Sequence, residues 1–343
     1  MTLRTYVIAR ILLTIPMILI LLTMVFLLIR VLPGDIVLLH FQHPTQQQLA
    51  DMRHQLGLDK PLWAQYFDYL FALFRGDLGK SMQDNSPVGQ QIFSAFPATL
   101  ELTIFSMVIA VVLGVILGVQ ASKAYNKPQD HAIRIFGIVT YAIPVFFLGM
   151  ILQLTLGLGL HWFPVGRRFS PLVQDPLGLS IGGFHFSTGL YTIDSLLEGN
   201  VFKFVESLRY LFLPSLTLGL VLSGVFIRLT RSNMLETLRL DFVTAARARG
   251  LRENRVTYSY ALRNAFLPVL TMVGLQFAAL LGGAILTEST FSWPGLGTYI
   301  VDRIRLRDYT AIQGAVIVFG IFVSIVSLLV DLLYAYFDPR IRL

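Results

Sequence analysis

The stretch Asp241–Pro268 reads DFVTAARARGLRENRVTYSYALRNAFLP and sets five arginines (Arg247, Arg249, Arg252, Arg255, Arg263) against two acids (Asp241, Glu253). It holds no nucleophile–base pair and no cluster of metal donors. Its chemistry is recognition. Ala245, Ala246 and Ala248 are small enough for another backbone to come close, and the guanidinium groups around them seek carboxylate, phosphate or carbonyl oxygen. Residues 233–249 contain no Gly or Pro and suit a helix. Gly250 is placed for a left-handed cap, and Asn254 can start the next helix. Two partners suit such a segment, an anionic lipid surface or another protein, and composition weighs them equally.

Other chemistry is sparse. Cysteine is absent, which removes disulfides, thiolate metal sites and thiol catalysis. His40 and His43 stand three apart without a third donor nearby, so a loop role is expected and no metal site is assigned. There is no G-x-x-x-x-G-K-[ST] loop to cradle a nucleotide and no H-E-x-x-H pair, and no nucleophile elbow is expected. No catalytic residue is assigned, and no cofactor is expected in this chain.

The elements that must position the basic segment are membrane spans. The chain is 343 residues, 55% hydrophobic and 14% charged, against about 25% charged in soluble domains. Charge-free intervals run over Ile11–Ile29, Leu102–Ser122, Ile135–Gly166, Tyr210–Ile227, Asn264–Thr287 and Tyr309–Val330. Each is long enough for a helix to cross a hydrocarbon core of ~30 Å. Six spans are expected, the third needing lipid only to about Leu158. The first interval is longer than a signal-peptide core and lacks a small-residue cleavage site, so it reads as a retained helix.

Charge sets the orientation. With the N-terminus inside, the inner segments (1–10, 122–134, 228–263, 338–343) hold 15 of the 27 Lys and Arg residues in less than half the length of the outer ones. The outer segments hold 14 of the 20 acids. Both termini are therefore expected in the cytoplasm. The basic balance follows from topology, and nucleic acid is not an expected partner. No Asp, Glu, Lys or Arg lies near a span centre, which disfavours a self-powered secondary carrier. Pro16, Pro144, Thr103, Ser106, Gln153, Ser223 and Gln276 are expected to make kinks or helix–helix contacts. Outside the membrane, Leu62–Phe74 is aromatic-rich and predicts a short helix at the outer interface or packed on the bundle. Residues 159–209 read as an irregular loop, and Thr287–Gly297 as a tight turn around Trp293, Pro294, Gly295 and Gly297.

Several motifs together carry a resemblance. Residues 244–250 (TAARARG) resemble the E-A-A-x-x-x-G signature of ABC-importer permeases. The stretches LPGD (32–35), GLDKPLWAQY (57–66), RGDLGKS (75–81), PATLEL (97–102), IPVFFLG (143–149), RLTRSNMLE (228–236), ALRNAFLP (261–268), FSWPGLG (291–297) and DPRIRL (338–343) resemble the dipeptide/oligopeptide/nickel branch. They run in order along nearly the whole chain and look most like the first permease of a dipeptide or oligopeptide system. Thr244 stands where the signature has an acid, and Pro268 lies 18 residues after Gly250, farther than in the general pattern.

The resemblance implies an all-α integral membrane protein with six transmembrane helices, an ABC-importer type I permease fold and a cytoplasmic coupling helix. It divides into 1–95 (first span and outer segment), a permease core at 96–337 with its coupling loop at 228–266, and a tail at 338–343. It implies ATPase docking through Thr244, Ala245, Ala246, Arg247, Arg249 and Gly250, supported by Asp241, Leu251, Arg263, Asn264 and Pro268. Expected partners are a sister permease in a heterodimer, two ATPase subunits that bind ATP and Mg, an extracytoplasmic substrate-binding protein, and the lipid of a prokaryotic plasma (inner) membrane. Short peptides are the expected cargo. Nickel chelates, glutathione or another small solute are the alternative, and a stand-alone channel or carrier the remaining class.

Overall fold

The computed structural model describes residues 3–31, 45–47, 54, 59–171, 178–181 and 184–337. The expectations on His40, His43, residues 32–35 and the tail at 338–343 lie outside them. Helix α1 (Leu3–Val31) is followed by α2 (Leu62–Phe74) and α3 (Val88–Lys123). Then come α4 (Pro128–Ala142) and α5 (Val145–Leu152), the latter continued as a π-helix over Gln153–Gly159. A hairpin of β1 (Leu179–Ile181) and β2 (Phe184–Phe186) leads to α6 (Tyr191–Leu197) and the long α7 (Val201–Thr237). Helix α8 (Asp241–Ala248) is joined to α9 (Leu262–Gly283) by a helical turn, Glu253–Arg255, and a π-helical stretch, Val256–Ala261. The chain ends in α10 (Ile285–Thr290), α11 (Leu296–Arg305) and α12 (Tyr309–Phe337).

Among the described residues five helices are long and apolar enough to cross a membrane: Ile8–Leu27, Val88–Lys123, Val201–Thr237, Glu253–Leu281 and Tyr309–Val330. A sixth crossing exists only if the α4–α5 pair is one broken span, because its limbs meet at 103°. The kink expected at Pro144 is thus a break between two helices. Pro144 has no N–H and forces its predecessor out of the helical region, and Ile143 accordingly sits at φ −72°, ψ 128°.

The centre of the fold is the contact of α3 with α7. Lipid gives helices no hydrophobic reason to associate, so close backbone packing has to hold them. Gly114 of α3 lies against Phe226 of α7, Gly118 against Thr230, and Gly219 of α7 against Ile109 of α3. A Cβ at any of these would run into its neighbour. Gly224 meets the backbone of Gly137 in the same way and brings α4 onto α7. Ser106 and Ser223 bond carbonyls of their own helices, to Leu102 and Leu220, so they pack without leaving a hydroxyl unsatisfied.

Around this pair, α9, α11 and α12 close one side, with Val88, Ile92, Phe96, Leu281, Leu296, Ala311 and Ala315 in their shared core. Helix α1 is peripheral. It meets α12 through Leu22, Val25 and Ile317, and α2 through Phe26, whose ring lies 5.3 Å from Tyr66 and 5.5 Å from Tyr69. Helix α2 thus packs one aromatic face on the bundle and exposes Trp63, Phe67, Phe71 and Phe74 on the other. The expected short helix is present, and its packing on the bundle is realised by the first face.

Two boundaries differ from expectation. The division at residue 95 falls inside α3, which stays helical because Ile92 and Phe96 belong to the same core as the spans. The 159–209 segment is partly ordered, carrying the hairpin, α6 and the first turns of α7. Asp194 accepts from the Thr188 and Gly189 N–H groups and the Ser187 and Thr188 hydroxyls, and Asn200 caps α7 at the Lys203 N–H.

Replacing Gly114 with Val should cost about 1–3 kcal/mol by overpacking and lower the thermal midpoint in detergent. Gly89→Ala, whose new methyl meets only Leu78 at an ordinary 3.8 Å, should leave it level or raised. Equal midpoints for the two variants would refute the close-packed pair.

Candidate docking site and its outer counterpart

Helix α7 ends at Thr237 and the chain turns through Leu238–Leu240 before α8 begins, so the helix-compatible run 233–249 is two helices rather than one. Helix α8 is eight residues long, too short to persist alone, and it is held by its seat. Val243 and Ala246 are buried against Val119 of α3, Met234 of α7, and Val256, Ala261 and Ala265 on the way into α9. Phe242, Thr244, Ala245, Arg247, Ala248 and Arg249 face outward.

The end of α8 is a full Schellman cap. The Gly250 N–H donates to the Arg247 carbonyl at 2.9 Å and the Leu251 N–H to the Ala246 carbonyl at 3.4 Å. Gly250 has φ +76°, with open space where a side chain would go. The demand for glycine there is torsional, worth about 1–2 kcal/mol. Arg247 crosses this turn to hold both Glu253 oxygens, at 2.8 and 3.2 Å. The pair is exposed, so it contributes under about 1 kcal/mol and serves mainly to set the turn. Lys123 ties the end of α3 to the same loop through Asn254 at 3.3 Å.

The expected docking residues therefore divide. Thr244, Ala245, Arg247, Arg249 and Gly250 share the free surface, with Asp241 in the first turn, where a negative charge favours the helix dipole. Ala246 does not: its methyl faces the chain's own core, one helical turn from Val243. Leu251 packs beside that core as support. Arg263, Asn264 and Pro268 are exposed on α9 and form no part of the seat. Ala261 and Ala265, four apart, take that face, and the 3.6-residue period turns the other three away.

At the opposite end of the bundle, Trp293 is buried and donates its indole N–H to the Ala98 carbonyl of α3 at 2.9 Å. Gly295 and Gly297 lie against the Glu288 carboxylate, where a Cβ would collide, while Pro294 is exposed. Glu288 accepts from the Thr99 hydroxyl at 2.6 Å and the Thr298 N–H at 2.9 Å, and Thr99 accepts from the Leu296 N–H at 2.8 Å. Burial pushes the Glu288 carboxyl above its ordinary range, against the opposing effect of these donors.

Two residues along α3, Glu101 takes the buried Arg168 guanidinium at 2.8 Å and both the Thr192 N–H and hydroxyl at 2.8 and 2.7 Å. Arg168 also reaches the Gly189 carbonyl and lies 3.8 Å over the Tyr191 ring. Sequence reading singled out the turn but not Thr99, Glu101, Arg168 or Glu288. The available signal was position: both acids stand at the edge of a charge-free interval, Glu101 before Leu102 and Glu288 after Thr287.

Nothing in these two places performs bond chemistry. Among the described residues no three His, Asp or Glu side chains gather to hold a metal. The letters G-x-S-x-G do occur once, at 178–182, which corrects the expected absence. Ser180 lies on β1 opposite His185 in the hairpin, and a nucleophile elbow needs a strand-to-helix turn.

Comparison with known proteins bears on what such a scaffold serves. The family described as binding-protein-dependent transport system inner membrane component matches residues 110–343, and its N-terminal companion matches residues 3–103. The dipeptide transport system permease protein DppB of Alkalihalophilus pseudofirmus is 39% identical over 98% of this chain and 99% of its own. The di/tripeptide transport system permease protein DppB of Pseudomonas aeruginosa is 40% identical over 92% of each. The glutathione transport system permease protein GsiC of Salmonella choleraesuis is 37% identical over 98% of each.

Two outcomes test the geometry. Ala246→Glu puts a charge into the α8 seat and should raise amide exchange across 241–250, whereas Ala245→Glu, one residue away and exposed, should not. At the outer turn, Glu288 holds its proton more tightly folded than unfolded. Its contribution to stability is thus present below the ordinary carboxyl value of 4.5 and is lost as pH rises toward the raised one. The stability of the natural chain relative to Glu288→Gln should fall over that window in thermal melts, and a difference flat with pH would refute the assignment.

Proposed function

The chain belongs to the family of binding-protein-dependent transport system inner membrane components, and from that premise we propose that it is the permease subunit of an ATP-driven importer of short peptides. The observation that carries this is near-full-length similarity to dipeptide, di/tripeptide and glutathione permeases. Their named cargoes share a short peptide backbone with charged ends. Each of these relatives is a permease by name, and catalysis of ATP hydrolysis belongs in this reading to separate subunits.

In this reading α8 is the coupling helix. Its exposed face, Thr244, Ala245, Arg247, Arg249 and the Gly250 turn, enters a groove of one ATPase subunit. Val243 and Ala246 transmit the displacement, because they are close-packed against α3, α7 and α9 and cannot yield independently. ATP and Mg stay on the two ATPase subunits, and a sister permease supplies the other half of the pore. The substrate-binding protein meets the acidic outer side, where Trp293, Pro294, Gly295 and Gly297 form a rigid turn. Both termini lie in the cytoplasm, on the side of α8, as the arginine and lysine distribution demands.

The native assembly should purify with an ATPase pair, a second permease and a binding protein, and di- or tripeptides should raise its ATP hydrolysis several-fold through the binding protein. Gly250→Val should lower ATPase retention and peptide-stimulated turnover together while membrane insertion stays normal. Purification as a lone, fully active chain would overturn the proposal.

A further inference from the structure

A cavity of about 440 Å³ opens between α4 and α7 at the end of the bundle that carries α8, lined in part by Arg134, Ile138, Tyr141, Ile227, Arg228 and Arg231. Its construction is graded. Arg134 directly precedes the charge-free interval that starts at Ile135, and Arg228 directly follows the one that ends at Ile227. The guanidinium groups therefore stand at headgroup depth, and the wall beyond them, Gly137, Ile138, Tyr141, Ala142, Gly224 and Ile227, is nearly all apolar. The Gly137–Gly224 contact draws the two backbones together along this groove.

Charge within the cavity is unbalanced. Asp130 is used by Arg231, which holds both its oxygens at 2.6 and 2.7 Å, and Arg134 and Arg228 have no ion pair among the described residues. A ligand that fits must bring negative charge at the mouth and hydrocarbon above it. A peptide would bury unsatisfied amides against that wall.

We propose that this cavity binds one anionic phospholipid, its phosphodiester held by Arg134 and Arg228 with Arg231 beside them and an acyl chain laid along the α4–α7 groove. Basic pockets between membrane helices suit such headgroups. The site rests on neither the docking role of α8 nor the cargo.

The test reconstitutes the assembled transporter in nanodiscs of equal phosphatidylglycerol and phosphatidylcholine and counts lipid retained on the released complex by native mass spectrometry. The natural chain should retain phosphatidylglycerol preferentially. Arg134→Gln combined with Arg228→Gln should cut that preference by about tenfold or more, with the Asp130–Arg231 pair left to hold the helices together. Ile138→Trp, which fills the groove and keeps every arginine, should cut it as well, and Arg239→Gln, an exposed arginine outside the cavity, should not. Undiminished preference in the first two variants would overturn the proposal. So would displacement of the lipid by soluble glycerol phosphate or by a dipeptide. Crosslinking of a photoreactive phenylalanine analogue placed at position 138 to a sister permease would do the same, by showing that the groove is buried between subunits.

Discussion

The contact between α3 and α7 is the interaction on which the rest depends. Glycine lets the two backbones approach without a hydrophobic driving force, and each end of the pair then carries an attachment. At one end Ala98, Thr99 and Glu101 of α3 hold the Trp293 turn, Glu288 and Arg168. At the other, Val119 of α3 and Met234 of α7 form the floor on which α8 rests. Glu101 and Val119 are 18 residues apart, or about 27 Å along a helix, close to the thickness of the hydrocarbon. One strut thus joins the Trp293 turn to the basic surface of α8.

The most deeply buried carboxylates of this frame follow the rule that burial requires partners. Glu101, Asp130, Asp194, Glu288 and Asp308 are all buried and each accepts from several donors, which for all but Asp194 include a group on a distant element. None lies at a span centre. They work as fasteners at the membrane faces, where an ion pair can be built without carrying charge through the hydrocarbon.

Much of this was legible from the residues. The spans follow from charge-free intervals, α2 from the aromatic run at 62–74, and the α8 cap from a glycine after an alanine-rich helix, because these signals are local. The break at Ile143–Pro144 was legible as a kink but not as a right-angle turn, since its second limb packs by Gly149 on Phe291, a partner 142 residues away in the sequence. The inward rotation of Ala246 was hidden because Ala245, Ala246 and Ala248 are chemically alike and only the position of Val243 tells them apart. The partners of Glu101 and Glu288 lie 67 and 189 residues away, and such pairings leave no periodic trace.

Asp308 begins α12 by accepting the Ala311 N–H, and the same carboxylate takes the Ser81 hydroxyl at 2.5 Å across 227 residues of chain. Helix α1 likewise finds its neighbour in α12. At a synthesis rate of about 5–20 residues per second, the ribosome needs on the order of ten to fifty seconds to travel from one partner to the other. Through that interval α1 has only α2 to hold it, through Phe26 and the Thr23–Tyr66 hydroxyl pair, and the Ser81 hydroxyl waits for Asp308. The α1–α2 pair is thus made long before the helix that anchors it to the bundle.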